Sequence, residues 1–446
     1  MAHDTESVPH LPAVAGKTVE VAFDGGHLTS DAGVVLLAAV ERRLGIAERL
    51  AACIEDPRAS ARVRHSLADM IRYRMLLIAA GYPDGNDCDA LKADPAFKIA
   101  LGRPPVTGAN LCSQPTVSRL ENLPGPTALK RMMVAMIDMF CDSFDAVPRR
   151  ILLDIDDTED TVHGGQELAV FNAYYDSRCF LPIHIYEATT GKPVAIILRA
   201  GKTPDGSEVA LVLRHVIRQI RARWPAVEIV VRGDSHYGRP EAMAWCERAR
   251  IGYIFGLAGN PVLLRQVSPL AEDAALGRLA GEGEKVRRYD DFRYAAKSWK
   301  VERRVIARVE ASSQGADSRF VVTNLPGLPK ALYEKVYCGR GQAENLIKAH
   351  KLHLASGRTS CTKATANQFR LLLHTGAYWL LLTLRGLAPR LSFWRDAQFD
   401  TIRLCLIKVA ARVTEIAALI KIALSTIFPY RAGFAALIGR VVKLPP

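Results

Sequence analysis

The sequence predicts an α/β protein. A mixed-sheet core is preceded by a mostly helical N-terminal region and followed by a helical, basic C-terminal region, with a β-rich insertion inside the core. Three observations predict this. Helical periodicity fills the chain up to about Arg150. From Ile151 short apolar strands alternate with amphipathic helices, the pattern of strands and helices wound around one sheet. From Tyr337 to Pro446 there are 16 lysines and arginines against four acids, so nearly all of the chain's net charge of +13 lies in its last quarter.

In the N-terminal region, "LADMIRYRMLLIAAGY" (67–82) and "PTALKRMMVAMIDMFCDSF" (126–144) repeat their apolar residues at helical spacing. Between them, "CSQPTVSRLEN" (112–122) offers a small polar residue, a proline at a first-turn position, then Thr116, Ser118 and Arg119. That order suits either an ordinary capped helix or a helix-turn-helix whose exposed face meets DNA, with Arg119 a candidate contact. From 151 onward, "RRILLDID" is a strand, and "CFLPIHIYEATTGKPVAIILRAG" (179–201) is a hairpin turning at Thr190-Gly191-Lys192. "VALVLRHVIRQIRARW" (209–224) is an amphipathic helix and "EIVVRGD" (228–234) a buried strand. "RPEAMAWCERARI" (239–251) is a helix and "YIFGLA" (253–258) another strand. The stretch 285–310 and "RFVVTN" (319–324) read as β strands rich in arginine and aromatics, and the chain turns helical again near Leu332.

At 446 residues the chain is expected to form more than one domain, and its 49% apolar content excludes a disordered protein. The basic balance points to a polyanionic partner, which binds lysine- and arginine-rich surfaces by releasing counterions. Nine scattered cysteines without a C-x-x-C argue for a reducing compartment and against a zinc site. The first sixteen residues lack the basic-then-apolar order of a signal peptide. The most apolar stretch, "LLLHTGAYWLLLTL" (371–384), is interrupted by His374 and too short to cross a bilayer, so it is expected to be a buried helix and no membrane partner is expected.

The chemistry gathers in three places. In "ILLDIDDTED" (151–160) five of the last seven residues are acidic. Residues two apart share a strand face, so Asp154 and Asp156 point the same way. Crowded carboxylates repel one another unless a cation lies among them, and hard divalent ions take oxygen ligands. A second acid, Asp234, ends the buried strand of "VVRGDSHYG" (230–238), and α/β sheets place their chemistry at strand ends. Third, "YCGRGQAENLIKAHK" (337–351) puts Tyr337, Arg340, Glu344 and Lys351 at offsets 0, 3, 7 and 14, which fall on one helical face. An acid flanked by cations on one face suits a metal ligand beside phosphate-binding groups, with Lys348 a further cation on the same helix.

The first two segments also resemble the haloacid-dehalogenase-like phosphatases. In that reading Asp154 of D-x-D-x-T is the phosphoryl-accepting nucleophile and Asp156 the acid/base. Gly233-Asp234 would begin that family's later motif, but its second acid should fall at position 238, which is glycine.

All three segments together resemble the group-1 DDE transposases of bacterial insertion sequences, in the branch with Y-x2-R-x3-E-x6-K around the third carboxylate. "DIDDT" resembles that branch's first strand, "RGDSHYG" its second, and "ANQFRLLLHTGAYWLLLTLR" (366–385) its closing helix, over about Leu28 to Arg412. The resemblance implies an RNase H-like core in which Asp156, Asp234 and Glu344 hold two Mg²⁺ or Mn²⁺ ions, with Asp154 an auxiliary or replacement for Asp156. It implies that Tyr337, Arg340, Lys348 and Lys351 meet DNA near the scissile bond, with Trp299 of the insertion a candidate stacker on flipped bases. The expected partners are double-stranded terminal inverted repeats and target DNA, bound by a homodimer in the cytoplasm, at the nucleoid. The expected activity is metal-dependent strand cleavage and strand transfer. The expected divisions are a DNA-binding region 1–150, a first catalytic part 151–265, the insertion 266–330, a second catalytic part with the Glu-bearing helix 331–390, and a basic region 391–446. The alternatives are the aspartate-nucleophile phosphatase or phosphotransferase and a DNA-binding protein without catalysis.

Overall fold

The computed structural model describes residues 11–443. After short strands at Leu11–Val14, Lys17–Val19 and Leu28–Thr29, its N-terminal region is mostly helical, with α1 (Val34–Leu44), α2 (Leu67–Ala80), α3 (Gln114–Glu121) and α4 (Pro126–Asp142) among its helices. Local chemistry sets the ends of these helices. The Ser66 hydroxyl accepts the Asp69 N–H at 3.0 Å and caps α2, Gly81 closes it at φ +95°, and prolines occupy the first turns of α3 and α4.

Five strands form the first part of the central sheet. β1 (Arg150–Asp157), β2 (Ile183–Glu187), β3 (Lys192–Ile197), β4 (Glu228–Gly233) and β5 (Gly252–Leu257) lie in the order β3-β2-β1-β4-β5. The first three are antiparallel, turning at Gly191 with φ +68°, while β4 joins β1 and β5 joins β4 in parallel. Three antiparallel strands joined to two parallel ones make the mixed sheet expected of an RNase H-like core. The parallel crossovers are made by α5 (Gly206–Arg223), whose N-terminus the Asp205 carboxylate caps, and by α6 (Pro240–Arg248). Parallel pairing sets Asp154 of β1 beside Arg232 of β4, and both strands end at the same edge.

The β-rich stretch is continuous with this sheet. β6 (Val286–Tyr294), β7 (Arg303–Ser312) and β8 (Gly315–Thr323) form an antiparallel meander, and β8 pairs with β5, so eight strands run without a break. The Glu-bearing segment follows as a helix of uneven winding. A wide π turn (Leu332–Tyr337) and a tight turn (Cys338–Arg340) precede α7 (Gly341–Lys348), and a second π turn (Ala349–His353) follows it. α8 (Ala364–Gly386) contains the apolar run 371–384, is almost wholly buried, and packs on α2 and β3. Among the described residues no helix is long and apolar enough to cross a membrane. The C-terminal region is helical at Arg431–Val441 and also holds a hairpin, β9 (Ala411–Ile416) and β10 (Leu419–Leu424), which the sequence reading did not anticipate. Short β-branched alternation and pairing of β9 with Leu28–Thr29 favour strand there.

Three histidines lie in the core where the Glu-bearing segment meets β2 and α8. His184 and His350 meet edge to face at 5.4 Å, His350 Nε2 lies 3.3 Å from the Thr375 hydroxyl, and His374 Nδ1 lies 2.9 Å from the Leu354 carbonyl. Burial pushes all three below the ordinary histidine value, His350 to about 3. Below pH 6.5 the unfolded chain takes up protons that the folded chain refuses, so stability is lost as pH falls toward the folded values. These groups together contribute at most about 4 kcal/mol per pH unit. The raised carboxyls of Asp156 and Asp160 act in the opposite direction, so urea unfolding between pH 7.5 and 5 should show a steeper acid-side loss in the parent than in a folded His350→Gln variant; equal slopes would contradict a neutral, buried histidine cluster.

Candidate active site

The three acidic segments meet at the shared edge of β1 and β4. Asp156 stands near the end of β1 and is largely buried, while Asp234 follows β4 directly and its Oδ1 accepts the His236 N–H at 2.9 Å. Gly233 makes that sharp exit feasible. A Cβ there would lie 2.9 Å from the Tyr237 side chain and 3.1 Å from Ile155. Arg340 reaches in from the third segment and donates to Asp156 Oδ2 at 2.6 Å, and its other terminal nitrogen lies 3.8 Å from Glu344 Oε1. One guanidinium therefore stands between the first and third carboxylates. Tyr337 is half-buried beside Arg340, with its ring 5.5 Å from that of Tyr333.

Electrostatics follow from this crowding. Burial pushes the Asp156 carboxyl up to about 7; Arg340 opposes the shift, and the neighbouring charges of Asp234 and Asp157 add to it. His236 is raised, chiefly by its hydrogen bond to Asp157. The Asp156–Asp234 pair, with Arg340 as its nearest cation, is rich in the oxygen donors that a hard divalent cation takes. Glu344 stands further out, its side chain 70% exposed. Among the described residues no three His, Cys, Asp or Glu side chains come close enough to hold a metal.

Asp154 plays a different part. It is 1% exposed, and Arg232 grips it from both sides, Nε to Oδ1 at 2.6 Å and Nη2 to Oδ2 at 2.7 Å. The third nitrogen of Arg232 donates to the Val336 carbonyl at 2.7 Å, tying β4 to the turn that leads to Arg340. A carboxylate sealed in a bidentate pair is placed neither to ligate a metal nor to attack phosphorus, which counts against both expectations for Asp154.

The other expected contacts are spread out. Lys348 is exposed on α7, whereas Lys351 is turned inward, donating to the Glu159 carbonyl and lying 3.7 Å from Glu159 Oε2 and from Asp160 Oδ1. Arg119 is exposed on α3, whose Glu121 is anchored in the core by Arg74 at 3.1 Å. Trp299 is buried in the β6–β7 connection, 5.6 Å from the Tyr294 ring and beneath the Arg303 guanidinium at 5.4 Å, so its faces are taken. The sequence alone gives Asp157 as incidental, yet it accepts from the Tyr237 hydroxyl at 3.0 Å, lies 3.2 Å from His236 Nδ1, and so clamps the first two segments together. The sequence reading passed over Arg232. The available signal was an arginine inside an otherwise apolar strand, which demands a buried acid as partner.

Residues 11–446 match the transposase DDE domain group 1 family. The chain belongs to that family. Among solved structures, the piggyBac transposase, in a synaptic complex with hairpin DNA, aligns with a TM-score of 0.42 at 8% identity, covering 94% of this chain and 86% of that one. No curated protein matches the chain by sequence. Within the matched residues the three acidic segments stand at β1, after β4 and on α7.

Proposed function

We propose that this chain is a DNA transposase of an insertion sequence. It binds double-stranded terminal inverted repeats, cleaves the element ends with divalent metal and joins them to target DNA, as a homodimer on DNA at the nucleoid. The observation that carries the reading is the bridge from Asp156 to Arg340, 184 residues later in the sequence, and through it to Glu344, beside Asp234.

Asp156, Asp234 and Glu344 are the residues that would hold Mg²⁺ or Mn²⁺. When bound, two such ions supply an activated water or 3′-hydroxyl and neutralise the leaving oxygen in an in-line displacement at phosphorus. The chain's own residues prepare this. Asp157 fixes the loop after β4 through Tyr237 and His236, which sets the direction of Asp234. Arg340 balances the charge of Asp156, and with metal held by the carboxylates it would be free to grip a phosphate. Lys348 already faces outward, and Lys351 would exchange Glu159 for a phosphate. The helical region 1–150, with Arg119, and the basic region 391–446 would hold duplex away from the break. Their lysines and arginines make binding fall steeply with salt.

Glu344→Gln tests the reading. On a supercoiled plasmid carrying the element's ends, the variant should lose Mg²⁺-dependent cutting by about a thousandfold or more while still shifting end DNA in a gel. Undiminished metal-dependent cutting by this variant would sink the assignment.

A further inference from the structure

Between β1 and β2 the chain makes a small sheet whose strands are Asp160–Thr161, Ser177–Phe180 and Val170–Asn172, in that spatial order. Its tip carries Phe171, Tyr174 and Tyr175, which are 59%, 88% and 37% exposed. The Tyr174 and Tyr175 rings stand perpendicular, with centroids 4.9 Å apart. The tip is a built turn. Asn172 Oδ1 accepts the Tyr174 N–H at 2.9 Å, Asn172 Nδ2 donates to the Gly201 carbonyl at 2.9 Å, and Asp176 takes a left-handed φ of +49°. The sheet grows directly out of β1 and is fastened to the active site: the Ser177 hydroxyl donates to Glu159 at 3.1 Å, and Lys351 holds the Glu159 carbonyl from the other side. Asp157 and Glu159 are among the charges that, with burial, push the Tyr175 hydroxyl up to about 12, which sets that ring within their field.

Large aromatic side chains left in water on a sheet that grows out of the acid-bearing strand call for an occupant. Trp299, the expected stacker, is closed off, and Tyr237 is buried. A protein partner seated on this tip would crowd the edge where the carboxylates meet. A nucleic acid whose phosphodiester lies at that edge would instead carry its neighbouring bases onto the tip. Every base has a π face, so rings of this kind accept unpaired bases of any sequence. We propose that Phe171, Tyr174 and Tyr175 form a stacking platform for the unpaired nucleotides that flank the scissile phosphate. This rests on the transposase reading.

The experiment uses the full chain carrying Glu344→Gln, in Mg²⁺. The probes are a duplex of one fixed sequence, either blunt or with a four-nucleotide single-stranded extension containing 2-aminopurine. The extension should tighten binding about tenfold or more and quench the probe's fluorescence. Adding Phe171→Ala and Tyr174→Ala should reduce that preference to within about twofold, while Tyr174→Phe keeps it. Both positions are exposed, so thermal unfolding should not move. Equal binding of the two probes, or a preference that survives the double alanine variant, overturns the platform. So does a change in oligomeric state caused by Tyr174→Ala without a change in preference, which would assign the tip to self-association. If the protein without Glu344→Gln still cuts its ends, these outcomes remove the platform alone. If it neither binds the blunt duplex nor cuts, the transposase reading falls with it.

Discussion

Asp156→Asn should abolish metal-dependent strand cleavage, lowering the rate about a thousandfold or more, because removing one anionic oxygen pair from a two-ion site forfeits several kcal/mol of transition-state stabilisation. Asp154→Asn, two residues away on the same strand face, should keep the rate within about tenfold wherever the protein remains folded. The contrast rests on surroundings. Asp156 lies in the field of Asp234 and shares a single guanidinium with Glu344, whereas both oxygens of Asp154 are taken by Arg232 in the interior. Single-turnover cleavage of end-bearing DNA at matched temperature below both unfolding transitions decides it. The opposite ranking, with a phosphorylated aspartate trapped at position 154, would return the phosphatase-like reading.

Arg232→Leu should destabilise the protein by about 3–5 kcal/mol, since it leaves Asp154 buried without a counter-charge. Asp154→Leu combined with Arg232→Met should recover most of that loss, because well-packed apolar side chains often replace a buried ion pair at little cost. The double variant would still lack the bond from Arg232 to the Val336 carbonyl, so its cleavage rate should stay below that of the parent even when its stability does not. Urea titrations of the two variants, paired with cleavage rates, separate the two roles. Equal stability of Arg232→Leu and the parent would show that Asp154 is not held by charge.

Much of this was legible in the sequence. The alternation after Ile151 predicted the order of strands and helices, because a strand buried on both faces must be apolar and a crossover helix must be amphipathic. The spacing of Tyr337, Arg340, Glu344 and Lys351 predicted a helix presenting acid and cations together. The winding was not legible: the first π turn lies against β5 and the second against α8, packing that no spacing reveals, and spacing rules assume regular turns. Whether Asp154 or Asp156 faces the chemistry was also hidden, since both lie on one strand face. The choice is made by Arg232, brought alongside by parallel pairing from 78 residues away. Trp299 was read from residue type alone, and type does not tell whether a ring is open to a ligand or covered by an arginine.

The unbroken run of eight strands has a consequence for anyone reshaping the molecule. Because β8 is hydrogen-bonded along β5, cutting out residues 286–323 would not unplug an accessory module. It would strip one side of β5 bare, leaving the backbone donors and acceptors of a strand whose Tyr253, Ile254 and Phe255 are fully buried. An edge of that kind recruits other chains into mispaired sheets. A shortened protein should therefore precipitate before it can be assayed, and an inactive deletion would report on solubility rather than on what the excised strands do.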